Sequence, residues 1–205
     1  YPVSPRISAR ARERYLAAPK KDDRFDAFVL ADTLRHEILH WRALTPLGPC
    51  LAELRALCRD RRRTLETQQG AEAQLRAALE AYHPAAARLF SSVDRNISLA
   101  FVREYPTPEA ASYLGERRME RFTRRHGYTG RVPASVLVER LRAALLCASP
   151  GSSAGRSYGA LALVEQVALL NSQLAAFDER IAQVFASHPD ARIFASFPGA
   201  GPVVA

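Results

Sequence analysis

The sequence holds one methionine, one tryptophan, three cysteines and two lysines in 205 residues. Ten glycines and 13 prolines are too few for a collagenous or low-complexity chain. No stretch approaches the ~20 consecutive apolar residues of a bilayer span, which argues against a membrane protein. Cys50, Cys58 and Cys147 make an odd count without C-x-x-C spacing. Neither a disulfide framework nor a zinc ribbon is indicated, and a reducing, cytoplasmic compartment fits. No basic-then-apolar signal sequence opens the chain. Tyr1 at one end and the apolar Pro202-Val203-Val204-Ala205 at the other suggest a piece of a longer protein.

What is present is core-forming and basic. Hydrophobic residues make up 48% and charged residues 24%, the mixture of a folded soluble chain. The net charge is +8, carried by 27 arginines against Lys20 and Lys21 alone, which suits a polyanion. Arginine's planar fork holds phosphate and stacks on bases, although a GC-rich genome also spells basic residues as arginine.

The periodicity is helical almost throughout. A short strand is expected at Tyr1-Pro2-Val3, then helices from Ile7 to Ala17 and from Asp22 toward Leu39. After Pro46 and Pro49 a long helix is expected from Cys50 to Tyr82, about 50 Å at ~1.5 Å per residue. Leu51, Leu54, Cys58, Leu65, Leu75, Leu79 and Tyr82 mark its seam, interrupted by Arg61, Gln68 and Glu72. Shorter helices follow over 94–105, 107–114, 116–126 and 133–147, then a flexible linker, Ser149 to Gly155. A second long helix spans Tyr158 to Ser187. Its Leu163, Val167, Leu170, Leu174, Phe177, Ile181 and Val184 alternate spacings of four and three, a coiled-coil pattern. That seam could close on the first long helix as an antiparallel hairpin or on a second copy of the chain as a homo-oligomer.

Four motifs carry candidate chemistry. In Lys21-Asp22-Asp23-Arg24-Phe25-Asp26-Ala27, Asp23 and Asp26 share a helix face and could share Mg²⁺, or simply favour a helix N-terminus. His36-Glu37-Ile38-Leu39-His40 is a literal H-E-x-x-H, the zinc-peptidase pattern, but Ala43 and Pro46 stand where its extended form needs glycine and histidine. The basic clusters include Arg61, Arg62 and Arg63, and then Arg117, Arg118, Arg121, Arg124 and Arg125. With Lys20, Lys21 and Arg24 they are candidates for phosphate contacts, Phe122 and Tyr128 for base stacking, and solvated helix faces are the alternative. Pro198-Gly199-Ala200-Gly201-Pro202 has the glycines, Gly199 and Gly201, of a helix-hairpin-helix turn that meets nucleic acid.

Taken in order, K-x-D-x-x-D-A, a long Leu- and Arg-rich helix, Tyr105-Pro106-Thr107-Pro108, and a second heptad helix closing on F-x-S-F-P-G-A-G-P-V-V-A resemble one family. It is that of the insertion-sequence transposases related to the pilin-inversion recombinase. The resemblance implies a RuvC-like RNase H fold with four acidic residues, a coiled-coil insert, and a C-terminal domain with a nucleophilic serine. It gives Asp23 and Asp26 the roles of catalytic Mg²⁺ ligands, with the other two acidic residues and the serine outside this chain.

The expected fold is therefore mainly α, with long coiled-coil helices and an α/β RNase H-like remnant. The remnant would occupy 1–46, the helical region 47–190 and the start of the C-terminal domain 191–205. The expected function is a DNA transposase or recombinase, truncated and inactive as given, with DNA and a structured guide RNA as partners in the bacterial nucleoid. The alternatives are a non-catalytic nucleic-acid-binding or dimerisation module, and a zinc metallopeptidase on His36, Glu37 and His40.

Overall fold

The computed structural model describes residues 1–15, 22–143 and 150–199. Among them there is no strand, so the expected Tyr1–Val3 strand is corrected. Pro5 sits in the first turn of a helix, α1 (Pro5–Glu13), where its missing N–H costs nothing. The described residues form two compact units, Tyr1–Gly48 and Pro49–Ala205.

In the first unit α1 packs on α2 (Asp23–Glu37), which tightens into a 3-10 turn, Ile38–His40. The Asp22 carboxylate accepts from the Arg24 backbone N–H at 3.0 Å and caps α2. The core is small, with Ala11, Val29 and Thr33 buried, while Phe28, Ile38, Leu39 and Leu44 stay exposed.

The second unit is built on two long helices, α3 (Pro49–Tyr82) and α9 (Pro150–Ala186). Between them in sequence come α4 (Pro84–Arg88), α5 (Asn96–Glu104), α6 (Pro108–Ser112), α7 (Glu116–Arg125) and α8 (Ala134–Ala143). The short α10 (Ala191–Ala195) follows. α9 starts at Pro150, so the expected linker over 149–155 is helical from its second residue; Ser149 itself lies outside the described residues. Glycines at 151, 155 and 159 do not stop this helix, because tertiary packing overrides propensity.

The two long helices run antiparallel along one another. Cys50 Sγ donates to the Val184 carbonyl at 3.6 Å, Arg61 pairs with Asp178 at 2.5 Å, and Gln68 Nε2 donates to Asn171 Oδ1 at 3.3 Å. Val167, Leu170, Ile181 and Val184 are buried, and Leu163, Leu174 and Phe177 are partly buried. The heptad seam is thus filled within the chain, as a hairpin. Of the three polar residues that interrupt the α3 seam, Arg61 and Gln68 find partners on α9. The third, Glu72, accepts from Ser92 at 3.0 Å and from Arg76 at 3.1 Å.

By length and composition alone, α9 is long and apolar enough to cross a bilayer. A run of consecutive apolar residues and the mean hydropathy thus read this helix differently. Here its buried stripe faces α3 and α5 instead.

At one end of the hairpin the core widens. Leu75, Leu79 and Tyr82 of α3 and Val164 and Val167 of α9 join Phe101 of α5, Met119 and Phe122 of α7, and Leu137 and Leu141 of α8. Thr107 caps α6 by accepting from Ala110 N–H at 3.2 Å, with Pro108 at its first position. Tyr82 donates to the Pro106 carbonyl at 3.0 Å, and burial raises its phenol to about 12. His83 is fully buried beside Phe101, and its ring nitrogens have only the Tyr105 backbone near them, without the alignment of a well-formed hydrogen bond. Burial lowers its pKa from 6.5 to about 4.

Two predictions follow from this packing. A group whose folded pKa lies below its unfolded value stabilises fully above pH 6.5 and loses that contribution as pH falls toward 4. His83→Leu should therefore remove about 2–3 kcal/mol of the stability lost between pH 7.5 and 4.5, read by denaturant unfolding at both values. An acid slope equal to the parent's would contradict this. A double-mutant cycle on Arg61→Ala and Asp178→Ala should give a coupling of about 0.5–1 kcal/mol, discounted for Asp178's exposure. A coupling of zero would mean that the pair does not help hold the register.

Candidate nucleic-acid interface

The basic cluster of α7 is organised by its apolar residues. Met119 and Phe122 are buried, which turns Arg117, Arg118, Arg121, Arg124 and Arg125 outward, where all five are exposed. Phe122 is 1% exposed and stacks among Phe90, Phe101 and Tyr105, so its expected role in base stacking is corrected to a core role. Tyr128 is half-buried against Phe90, with ring centroids 5.5 Å apart. Arg124 pairs with Glu120 at 3.1 Å and Arg125 with Glu104 at 3.2 Å. Arg117, Arg118 and Arg121 make no ion pair among the described residues, so their charge is the most available to phosphate.

The α3 cluster differs. Arg61 is turned into the hairpin by Asp178, whose carboxylate raises the guanidinium pKa further. Arg62 pairs with Glu66 at 3.2 Å and Arg63 with Asp60 at 3.5 Å, both on the exposed surface. Such pairs are weak in water, about 0–1 kcal/mol, so a phosphate can compete for Arg62 and Arg63. Arg24 is exposed on α2, whereas Lys20, Lys21 and Gly201 lie outside the described residues. Gly199 has φ +79 after Pro198, the left-handed position that a type II turn requires of its third residue.

The two aspartates are placed one helical turn apart. Asp22 carries the side-chain cap, so Asp23 and Asp26 need not. Asp23 is exposed. Asp26 is partly buried, with Oδ1 2.9 Å from Arg12 Nε, a charge contact without hydrogen-bond alignment. Hard divalent ions take carboxylate oxygens, so the pair fits a share of a Mg²⁺ ligand set. It does not make a whole one, because no three of His, Cys, Asp and Glu converge among the described residues. Arg12 was not identifiable from the sequence as a partner, since no spacing rule links residues on separate helices.

The H-E-x-x-H residues are drawn apart. His36 Nδ1 sits 2.9 Å from the Asp32 carbonyl, and Glu37 pairs with Arg14 at 3.2 Å. The 3-10 turn after Glu37 advances ~120° per residue rather than ~100°, which rotates His40 off the line of His36. Tyr15 donates to Asp32, which raises its phenol pKa. No third ligand meets the histidines among the described residues, and the zinc-peptidase alternative has no support.

Residues 1–84 match the family model of DEDD transposases of the IS110 type, described as "Transposase". The chain is 29% identical over 214 residues to the "Mini-circle putative transposase for IS117" of Streptomyces coelicolor, which covers all of this chain and 51% of that protein. It is 28% identical over 124 residues to "Putative transposase y4uE" of Sinorhizobium fredii, covering 60% of this chain and 34% of that one. The chain spans about half or less of these relatives. No solved structure matches it. Along its whole length the chain is similar to an IS117 transposase, and over residues 1–84 to the DEDD transposases of the IS110 type.

Proposed function

We propose that this chain is part of a DNA transposase of an insertion sequence. The observation that carries the reading is the similarity to the IS117 protein over all of this chain. The outward arginines of α7 supply a surface for the DNA such a protein moves. In this reading residues 1–46 belong to a RuvC-like domain of RNase H fold, whose sheet would cover Phe28 and Leu39 of the exposed apolar face. Residues 191–205 lead into a C-terminal domain bearing a serine nucleophile, by resemblance to the pilin-inversion-recombinase relatives. A structured guide RNA is a second polyanion that the same arginines could bind, and the protein works in the cytoplasm at the nucleoid.

Asp23 and Asp26 contribute carboxylates to Mg²⁺ in the proposed site. Bound there, the ion would supply charge stabilisation for phosphodiester cleavage. Arg12 holds Asp26 in place through their ion pair. Homo-oligomers are part of the proposal, formed on surfaces other than the α9 seam, because that seam is filled within the chain. A second reading is a nucleic-acid-binding module without catalysis. It is favoured by one observation, that only two candidate carboxylates come together among the described residues.

Replacing Arg117, Arg118 and Arg121 together by alanine should weaken duplex binding by on the order of tenfold or more. It should also reduce the slope of log K against log salt by about 2–3. Arg62→Ala alone should change the slope less, since it removes one charge rather than three and Glu66 competes with phosphate for it. Equal slopes for the triple variant and the parent would remove α7 from the interface. For the metal, Asp23→Asn or Asp26→Asn should lower Mg²⁺-dependent strand cleavage by at least ~100-fold while DNA binding in EDTA stays unchanged. Cleavage that never responds to either substitution, or is never seen, favours the binding module.

A further inference from the structure

We propose that the cleft between the start of α5 and the α7–α8 loop is a pocket for one unpaired nucleotide. This rests on the nucleic-acid reading above and names a separate site within it. The cleft holds about 710 Å³, inside the range of small-molecule pockets, about 300–1,000 Å³. That is room for a base and its sugar-phosphate, and too little for a duplex.

Its lining has the composition such a ligand asks for. Phe90 and Tyr128 supply aromatic surface, and every base has a π-face to lay against a ring. Arg95 and Arg140, both exposed, reach the cleft from α5's N-cap and from α8, and make no ion pair among the described residues. Asn96 offers an amide that can donate to and accept from a base edge. No carboxylate lines the cleft among the described residues. Acidic groups lie in the two adjoining hollows. Asp94 and Asp178 line one that shares Arg95 and Asn96 with the cleft, with Asp178 held by Arg61. Glu104 lines the other and is held by Arg125, with His126 at 4.0 Å.

Gly130 makes room for the ring. A Cβ there would collide with the far end of the Tyr128 side chain, so glycine leaves the space in which that ring folds back over residue 130. The loop also turns at Gly127, at φ +58, which brings Tyr128 round to hydrogen-bond its N–H to the Thr123 carbonyl at 2.9 Å. An aromatic ring given its place by two glycines, beside two arginines that make no ion pair among the described residues, would serve as a stacking platform with a phosphate clamp. The clamp and platform lie just past the C-terminal end of α7, whose outward arginines would track the flanking backbone.

The test uses the chain with short oligothymidylate, oligouridylate and duplex DNA, each single strand carrying a central 2-aminopurine. Binding should quench the 2-aminopurine. Arg95→Ala/Arg140→Ala should weaken single-strand binding by about tenfold or more and leave duplex binding unchanged. Tyr128→Leu should abolish the quenching and Tyr128→Phe should keep it, with circular dichroism confirming that each variant is folded. Quenching by the DNA strand, the RNA strand or both supports the pocket and identifies which sugar it takes. Single-strand affinity that survives the arginine variant, or falls in step with duplex affinity, overturns the pocket and leaves the α7 surface standing. A parent that binds neither strand nor duplex overturns both.

Discussion

The second unit depends on one pairing, that of α3 with α9. Each helix is apolar on one side only, and neither could hold its length in water alone, because helix formation without tertiary burial is marginal. Burial of Leu75, Leu79, Val164, Val167, Ile181 and Val184 supplies the driving force. Apolar burial does not by itself choose a register, and here the polar residues do. Arg61 meets Asp178 and Gln68 meets Asn171, and Asn171 in turn donates to the Asp94 carbonyl at 2.8 Å. A slip of one turn would part Arg61 from the half-exposed Asp178 and leave the buried Gln68 amide unpaired, and the unpaired buried group costs more than its bond contributes when made. Arg103 with Glu165 at 2.7 Å and Arg180 with Glu53 at 2.5 Å repeat the logic at the surface.

Much of this architecture was legible in the sequence. The limits of α3 follow from prolines at its start and the break at His83-Pro84, and the spacing of seven apolar residues located α9. Partners separated by more than a hundred residues were not legible, since periodicity records which face is apolar and not what lies opposite it. Hence Arg61 read as a phosphate ligand and Gln68 as a flaw. Short helices with no amphipathic stripe were missed for a related reason: α4 buries three alanines in five residues, too few to show a period. Phe122 was misplaced because arginines on either side mask a buried position when a helix is read as a string.

The candidate metal and nucleic-acid residues show how charge is distributed on an arginine-rich chain. Among the described residues, eleven arginines are paired with a carboxylate, and the others are spread over the surface, with three of them side by side on α7 and two at the cleft beside it. An excess of one sign is available to a partner only where folding has not already answered it. Asp22 and Asp23 make the complementary point: adjacent residues of identical chemistry divide into a cap and a carboxylate left exposed, and only the backbone geometry tells them apart.

The Cys50–Val184 contact implies something about the region as a unit of construction. The chain leaves the long hairpin beside the place where it entered, with its helical head at the far end of a rod of about 50 Å. A segment with coincident ends can be lengthened, shortened or exchanged without displacing what it is spliced into. The rod then sets reach: adding or deleting matched turns in both arms would move the head by about 5.4 Å per turn while leaving its own packing intact.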